Sequence, residues 1–275
     1  EVSAKYYALS YAKNRAKTYQ FLDSLYQSFA KKATRKFKLG ETNYLEMITA
    51  RSKQKQLETL YKQALQEVNL SKEKLKSVVQ IDTLETVDEP LEKLALKDNF
   101  TKENLGLQYF KNAKNYQKLL YQKEKQNLLP DISLEYFQGT NSQLNNSLQG
   151  FQIGLKIPFL FSGNASKIKA NKIAKEVISE QQQDYKVKLE AQYNIFMATL
   201  NQYKSALNYY ETEGENLKNE IIKTANRTFK EGEIDFFQYI QSIETAKDIE
   251  LSYLANLNAY NQNVVNINYL LLKTF

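Results

Sequence analysis

The chain has 275 residues, with 38 Lys and Arg against 31 Asp and Glu, a formal net charge of +7, and only 3 Pro. It contains no Cys, no His and no Trp, which excludes disulfides, thiol nucleophiles, imidazole bases and zinc sites of the Cys/His kind. Lys and Glu are interspersed along the chain, so the basic balance reads as a solvated surface and not as a nucleic-acid footprint.

Other classes fall away for related reasons. The two Met residues, Met47 and Met197, cannot form a thioether cluster for a soft metal. No constellation of acid, base or nucleophile stands out, so an enzyme is the least favoured class and no cofactor is expected. No stretch stays apolar for the ~18 residues of a transmembrane helix. The chain opens on Glu1 without a signal peptide, so a processed chain or an excised fragment is expected.

Residues 1–38 carry Ala4, Tyr7, Ala8, Tyr11, Ala12, Tyr19, Phe21, Leu22, Leu25, Tyr26 and Phe29 at three- and four-residue steps, which predicts a helix. Gly40 follows, and a second helix is expected from about Asn43 to about Val78. Its stripe includes Leu45, Ile48, Leu57, Leu60, Tyr61, Ala64 and Val68. Residues 79–100 bring β-branched residues, acids and Pro90. They read as an irregular connector with one short helix at Leu91–Leu96. A third helix is predicted near Thr101 to Leu128, with Asn99 or Thr101 as N-cap.

At Leu129-Pro130 the period changes to two. Ile132, Leu134 and Tyr136 alternate with Ser133 and Glu135. After a polar loop over 139–149, Phe151, Ile153, Leu155, Ile157 and Phe159 alternate with Gln152, Gly154, Lys156 and Pro158. This is the strongest strand signal in the chain. Two strands alone are marginal in water. They must join a larger sheet, cover a helix, or face lipid as barrel strands of ~9–11 residues do. A soluble hairpin and a membrane hairpin both stay open on this pattern. The longest helix is then expected from about Ala165 to about Phe229, with Gly214 as its soft spot. About 65 residues at 1.5 Å each make a rod of about 100 Å. A last helix runs from about Asp235 to Leu272.

One short stretch occurs twice. Residues 33–41 and 225–233 share Ala33/Ala225, Arg35/Arg227, Phe37/Phe229, Lys38/Lys230, Gly40/Gly232 and Glu41/Glu233. Each Gly lies between two long helical runs, where it supplies the left-handed residue that ends a helix. Each copy therefore reads as the turn of an αα-hairpin. A Gly tolerated inside one continuous helix, at ~1 kcal/mol against Ala, is the alternative. The repeat means a duplicated half. The second copy has a strand pair before its turn and the first does not, so an N-terminal part with a matching strand pair is expected upstream.

With these features in order, the chain resembles the TolC family of outer-membrane efflux channels. The two Phe-Lys-x-Gly-Glu turns carry the likeness, with the strand pair opened by Leu129-Pro-Asp-Ile-Ser-Leu and closed by Gln152-Ile-Gly-Leu-Lys-Ile-Pro-Phe, and the helix after Ser162-Gly163. Gly232-Glu-Ile-Asp-Phe-Phe-Gln-Tyr-Ile-Gln and the closing Asn268-Tyr-Leu look most like the subgroup paired with heavy-metal exporters of the CusA/CzcA kind. The resemblance implies a mainly α fold of long antiparallel helical hairpins with one β-hairpin contributing to a membrane barrel. The segments would be 1–78, a first helical hairpin with its tip at Gly40; 79–128, an equatorial connector and helix; 129–162, the barrel hairpin; and 163–275, a second helical hairpin with its tip at Gly232.

It further implies a homotrimer in the outer membrane and periplasm, in contact with outer-membrane lipid. Its partners would be a periplasmic adaptor protein and an inner-membrane resistance-nodulation-division pump. The chain itself would be a passive conduit. Phe37, Leu39, Gly40, Glu41, Phe229, Glu231, Gly232 and Glu233 would form the adaptor-docking tips. Phe151, Ile153, Leu155, Ile157 and Phe159 would face lipid. Family gates place acids in the first turns after the second tip glycine, but here the six- and nine-residue offsets hold Gln238 and Gln241. Glu233 and Asp235 stand closer to the turn as replacements, and Glu46 takes the six-residue offset in the first copy. Acids at a helix N-terminus are also favoured by the dipole at ~0.3–1 kcal/mol, so gating and capping both stay open. Two rivals from other classes are a helical pore-forming toxin, which has no need of two matched tips, and a structural coiled-coil protein, which has no place for the strand pair.

Overall fold

The computed structural model describes residues 1–84, 90–96, 104–141, 146–157 and 162–270. It divides into two compact units, one of Glu1–Asp98 with Tyr193–Leu270 and one built on Asn99–Gln192.

In the first unit, α1 (Val2–Lys38) packs along α2 (Tyr44–Val79), and α6 (Phe236–Leu270) packs on α1 and on α5 (Glu215–Glu231). The three- and four-residue spacing in α1 buries Leu9, Ala12, Ala16, Leu22, Tyr26, Phe29 and Ala33. Ala33 of α1 and Ala50 of α2 fall in one buried cluster, where small side chains let the two helices come close. Leu22, Tyr26, Phe29, Ala33, Ala50, Leu57 and Ile240 form one cluster, so α1, α2 and α6 share a core. Each Leu-, Ile- or Phe-sized member contributes ~1.5–3 kcal/mol by leaving water. Polar bonds join the same faces. Thr18 Oγ1 donates to Glu250 Oε1 at 2.8 Å, and Gln262 Nε2 donates to the Ala4 carbonyl at 2.8 Å.

The α2 stripe departs from expectation at its start. Leu57 and Ala64 are buried, but Leu45 and Ile48 are 72% and 38% exposed. They lie in the first turns of α2 but off the face that carries the buried Met47 and Ala50. The helix ends at Gln80, which is left-handed at φ 61 and donates its N–H to the Lys76 carbonyl at 2.7 Å.

The short helix expected at Leu91–Leu96 is not formed; 90–96 is irregular. The reason is tertiary. Asn261 of α6 is fully buried and takes up the backbone that a helix would need. Its Nδ2 donates to the Glu92 carbonyl at 2.7 Å, and its Oδ1 accepts from the Leu94 N–H at 2.9 Å. Leu91 is buried beside it.

The expected single long helix is interrupted. α4 (Ser162–Tyr209) gives way to a π-helical turn at Tyr210–Gly214 before α5 resumes. Gly214 lies within this break. A Cβ there would lie 3.3 Å from the Tyr210 ring and 3.4 Å from the Tyr209 ring, so both rings occupy the space a side chain would take. Tyr210 stacks on Tyr253 of α6, with centroids 3.9 Å apart and planes at 16°.

The second unit holds α3 (Leu105–Gln126), the early part of α4, and a hairpin of β1 (Asp131–Asn141) and β2 (Asn146–Lys156). α3 starts later than the sequence suggests. Its N-cap is Asn104, whose Oδ1 accepts from the N–H groups of Gly106 and Leu107; the expected caps Asn99 and Thr101 lie outside the described residues. It also ends at Gln126, before Leu128. α3 meets α4 through Gln117 Nε2 to Asn171 Oδ1 at 2.9 Å and Lys114 Nζ to Ser179 Oγ at 3.2 Å.

The strands also run further than their apolar pattern. Pairing continues to Asn141 opposite Asn146, into the expected polar loop over 139–149. Ladder hydrogen bonds are made by the backbone and need no apolar side chain, so the pattern ends before the strand does.

Candidate functional site

Gly40 and Gly232 have φ of 75° and 76°. Their hydrogen bonds match in pattern. The Gly40 N–H donates to the Phe37 carbonyl at 3.0 Å and the Glu41 N–H to the Lys36 carbonyl at 2.9 Å. The Gly232 N–H donates to the Phe229 carbonyl at 3.2 Å and the Glu233 N–H to the Thr228 carbonyl at 2.9 Å. Both are Schellman closures, in which a left-handed residue lets two orphan carbonyls of the last turn be satisfied. A side chain at either Gly would meet open space. The backbone alone requires glycine there.

The tips differ in what they expose. At the first, Phe37, Leu39, Gly40 and Glu41 all face solvent, with Leu39 62% exposed. Tyr44 lies edge-on to Phe37 at 5.8 Å. With them Leu45 and Ile48, which the sequence pattern places in the α2 core stripe, are exposed and apolar. The signal available was the helix face: Met47, Ala50, Leu57 and Ala64 share one buried side of α2, and Leu45 and Ile48 lie off it. At the second tip, Glu231, Gly232 and Glu233 are exposed, whereas Phe229 is half-buried against Tyr239 at 4.7 Å and Phe236 at 5.2 Å.

The gate candidates sit at the N-termini of α2 and α6, and three of them are engaged in capping. The Glu46 N–H donates to Asn43 Oδ1 at 2.8 Å, and its carboxylate accepts from the Thr42 hydroxyl. Asp235 and Gln238 cap each other: the Gln238 N–H donates to Asp235 Oδ1 at 2.8 Å and the Asp235 N–H to Gln238 Oε1 at 3.1 Å. This is the reciprocal capping box, with Asp in place of Ser or Thr. Gln241 is exposed one turn further along.

The hairpin sorts its faces by register. Ile132 pairs with Leu155, Leu134 with Ile153 and Tyr136 with Phe151. All six are more than half exposed. The opposite face carries Asp131 across from Lys156, Ser133 from Gly154, and Glu135 from Gln152. The Tyr136 and Phe151 rings lie 5.0 Å apart at one end of the apolar face. Ile157 follows β2 and is 43% exposed, and Phe159 lies outside the described residues. No described helix is long and apolar enough to cross a membrane. Among the described residues no group of three or more carboxylates could hold a metal ion.

No family model matches the sequence, and no curated protein sequence does. Solved structures do match in three dimensions. A membrane protein from Pseudomonas aeruginosa superposes with a TM-score of 0.80 at 13% identity, covering 99% of this chain and 66% of its own. CusC, described in terms of transmembrane channel formation, gives 0.78 at 11% identity over 98% of this chain and 67% of its own. The CmeC outer membrane channel of Campylobacter jejuni gives 0.73 at 12% identity over 98% and 61%. The chain thus spans about two thirds of the length of the structures it matches. At these identities the likeness is one of fold, and the chain has the mainly helical fold, with one β-hairpin, of TolC-type outer-membrane channel proteins.

Proposed function

We propose that this chain is part of the protomer of an outer-membrane efflux channel, a passive conduit with no chemistry of its own. The observation that carries the reading is the hairpin register. From Asp131 to Tyr136, opposite Phe151 to Lys156, six apolar residues pair with one another on one face, and Asp131 with Lys156 and Glu135 with Gln152 pair on the other, before Phe137 and Leu148 mix the faces toward the turn. Lipid outside and water inside a barrel ask for this division. The exposed apolar face is a hazard in water for an isolated pair of strands. In the channel it would be covered by lipid once three chains contribute their strands to a shared barrel.

On this reading the protein works as a homotrimer in the outer membrane, with its helical hairpins in the periplasm. The Gly40 and Gly232 tips dock a periplasmic adaptor, and the exposed Phe37, Leu39, Tyr44 and Leu45 supply the apolar part of that contact. An inner-membrane resistance-nodulation-division pump provides the energy. The exported substrates are heavy-metal ions or small toxic compounds, the former suggested by the C-terminal stretch. Glu46, Asp235, Gln238 and Gln241 lie at the entrance, and the caps formed by the first three set its geometry.

The test is solution mass with and without detergent, on the chain and on Leu155→Lys. The chain should self-associate or need detergent, and a Lys opposite Ile132 should reduce both tendencies. A monodisperse, detergent-free monomer that Leu155→Lys leaves unchanged in mass and melting temperature would overturn the barrel reading.

A further inference from the structure

The break between α4 and α5 has a consequence for the surface beside it. A cleft of about 320 Å³ opens there against α6. Tyr209, Tyr210 and Tyr253 supply aromatic wall, Ile249 supplies an aliphatic patch, and Asp248 and Asn256 supply polar groups. A Cβ at 214 would come within 3.4 Å of the Tyr209 and Tyr210 rings, so Gly214 leaves them room to line this wall. Single-turn π-insertions of this kind concentrate at functional sites.

The charge in the cleft is unbalanced. The Asp248 carboxylate forms no hydrogen bond and no ion pair among the described residues. The charged groups facing it are Glu244 on its own helix and Lys53 of α2. The Lys53 ammonium is already paired with Glu244 at 2.7 Å. Burial, and then the Glu244 carboxylate, push the Asp248 carboxyl up from its ordinary value. Two carboxylates thus share one cation, and a second positive charge would be favoured beside Asp248. The Lys218 ammonium does not balance Asp248: it sits at the Tyr210 hydroxyl, 3.2 Å away, and faces Glu250 at 3.8 Å.

We propose that this cleft, walled by Tyr209, Tyr210 and Tyr253 with Asp248 in its lining, is a binding site for a small organic ammonium ion. The cation meets the carboxylate and the Tyr209 ring together, and its apolar body lies along Ile249 and the outer side of the stacked Tyr210–Tyr253 pair. The volume is at the small end of the range for ligand sites, which favours a compact amine or quaternary ammonium over a drug-sized molecule. The site lies within the first unit and does not depend on the channel reading.

The test is a ligand-observed NMR titration of the full chain with benzyltrimethylammonium chloride. Benzyl alcohol serves as the neutral aromatic arm, and sodium chloride holds the ionic strength constant. Saturable binding of the ammonium, with benzyl alcohol binding far more weakly, is expected. Asp248→Asn should weaken it about tenfold, the loss of one cation contact. Tyr253→Leu should weaken it as well, and Lys38→Ala at the first tip should not. Circular dichroism checks that each variant is folded. Benzyl alcohol binding as tightly as the ammonium on the unaltered chain overturns the proposal, and so does unchanged affinity in folded Asp248→Asn.

Discussion

The Tyr26 hydroxyl donates to Glu244 Oε2 at 2.7 Å, joining α1 to α6 across 218 positions of sequence. Glu244 also meets Lys53 Nζ of α2 at 2.7 Å, so one carboxylate ties three helices together. The Tyr26 ring is buried in the core cluster. Tyr26→Phe keeps the ring and removes the bond to a charged group, which should cost about 1.5–3 kcal/mol in denaturant unfolding. Burial first, then the bond to Glu244 and the nearby Glu244 and Asp248 charges, raise the Tyr26 hydroxyl above its ordinary pKa of 10.0. The unfolded chain therefore loses this proton at lower pH than the folded one. The contribution is complete below about pH 10 and is lost as pH rises toward the folded value. Tyr26→Phe should flatten the fall in stability above pH 10, and an unchanged alkaline slope would refute this.

At the tips the argument is confined to the backbone. Gly40→Ala and Gly232→Ala meet no steric obstacle, so any loss comes from the left-handed conformation, at ~1–2 kcal/mol each. Valine should be worse because its branched Cβ tolerates positive φ least. The two losses should add, since the tips share no hydrogen bond. Melting temperature gives the strain, and helical circular dichroism should be retained. Gly232→Val should also weaken adaptor binding, and undiminished affinity would remove the docking assignment.

Gly106 is glycine for a different reason. A Cβ there would collide with the Tyr185 ring and hydroxyl. That hydroxyl donates to Asn104 Oδ1 at 2.9 Å, the oxygen that caps α3. Gly106→Ala should displace Tyr185 and disturb the cap, with a loss of about 1–3 kcal/mol. Tyr185→Ala should cost less when Gly106→Ala is already present. A thermal-unfolding double-mutant cycle reads this coupling, and strict additivity would contradict the contact.

Asp235 permits a separation of capping from gating. Asp235→Asn keeps an oxygen for the Gln238 N–H and removes the charge, so stability should change by only a few tenths of a kcal/mol. Asp235→Ala removes the cap as well and should cost about 1 kcal/mol. If Asp235 serves the entrance, both variants should alter conductance of the assembled channel equally. If it only caps, Asp235→Asn should conduct as the parent does.

The helices, both glycine turns and the strand pair were legible in the sequence, because each rests on local rules. Three- and four-residue apolar spacing makes α1 and α2, period-two alternation makes β1 and β2, and a Gly in the left-handed region ends a helix whatever surrounds it. The paired tips were readable for the same reason: Gly40 and Gly232 close with the same bonds because each is a glycine in the left-handed region. What local rules cannot supply is the competition from distant groups. Residues 91–96 have helical content, but Asn261, far along the chain, takes the backbone groups of Glu92 and Leu94 and leaves the segment irregular. Gly214 marked a weak point in a long helix, but only the stacking of Tyr210 on Tyr253 shows why the weakness becomes a π-turn with a cleft beside it. Leu45 and Ile48 carried the spacing of a core stripe. Their exposure was decided by which face of α2 is packed, since Met47 and Ala50 of the same turns are buried and Leu45 and Ile48 lie off that face.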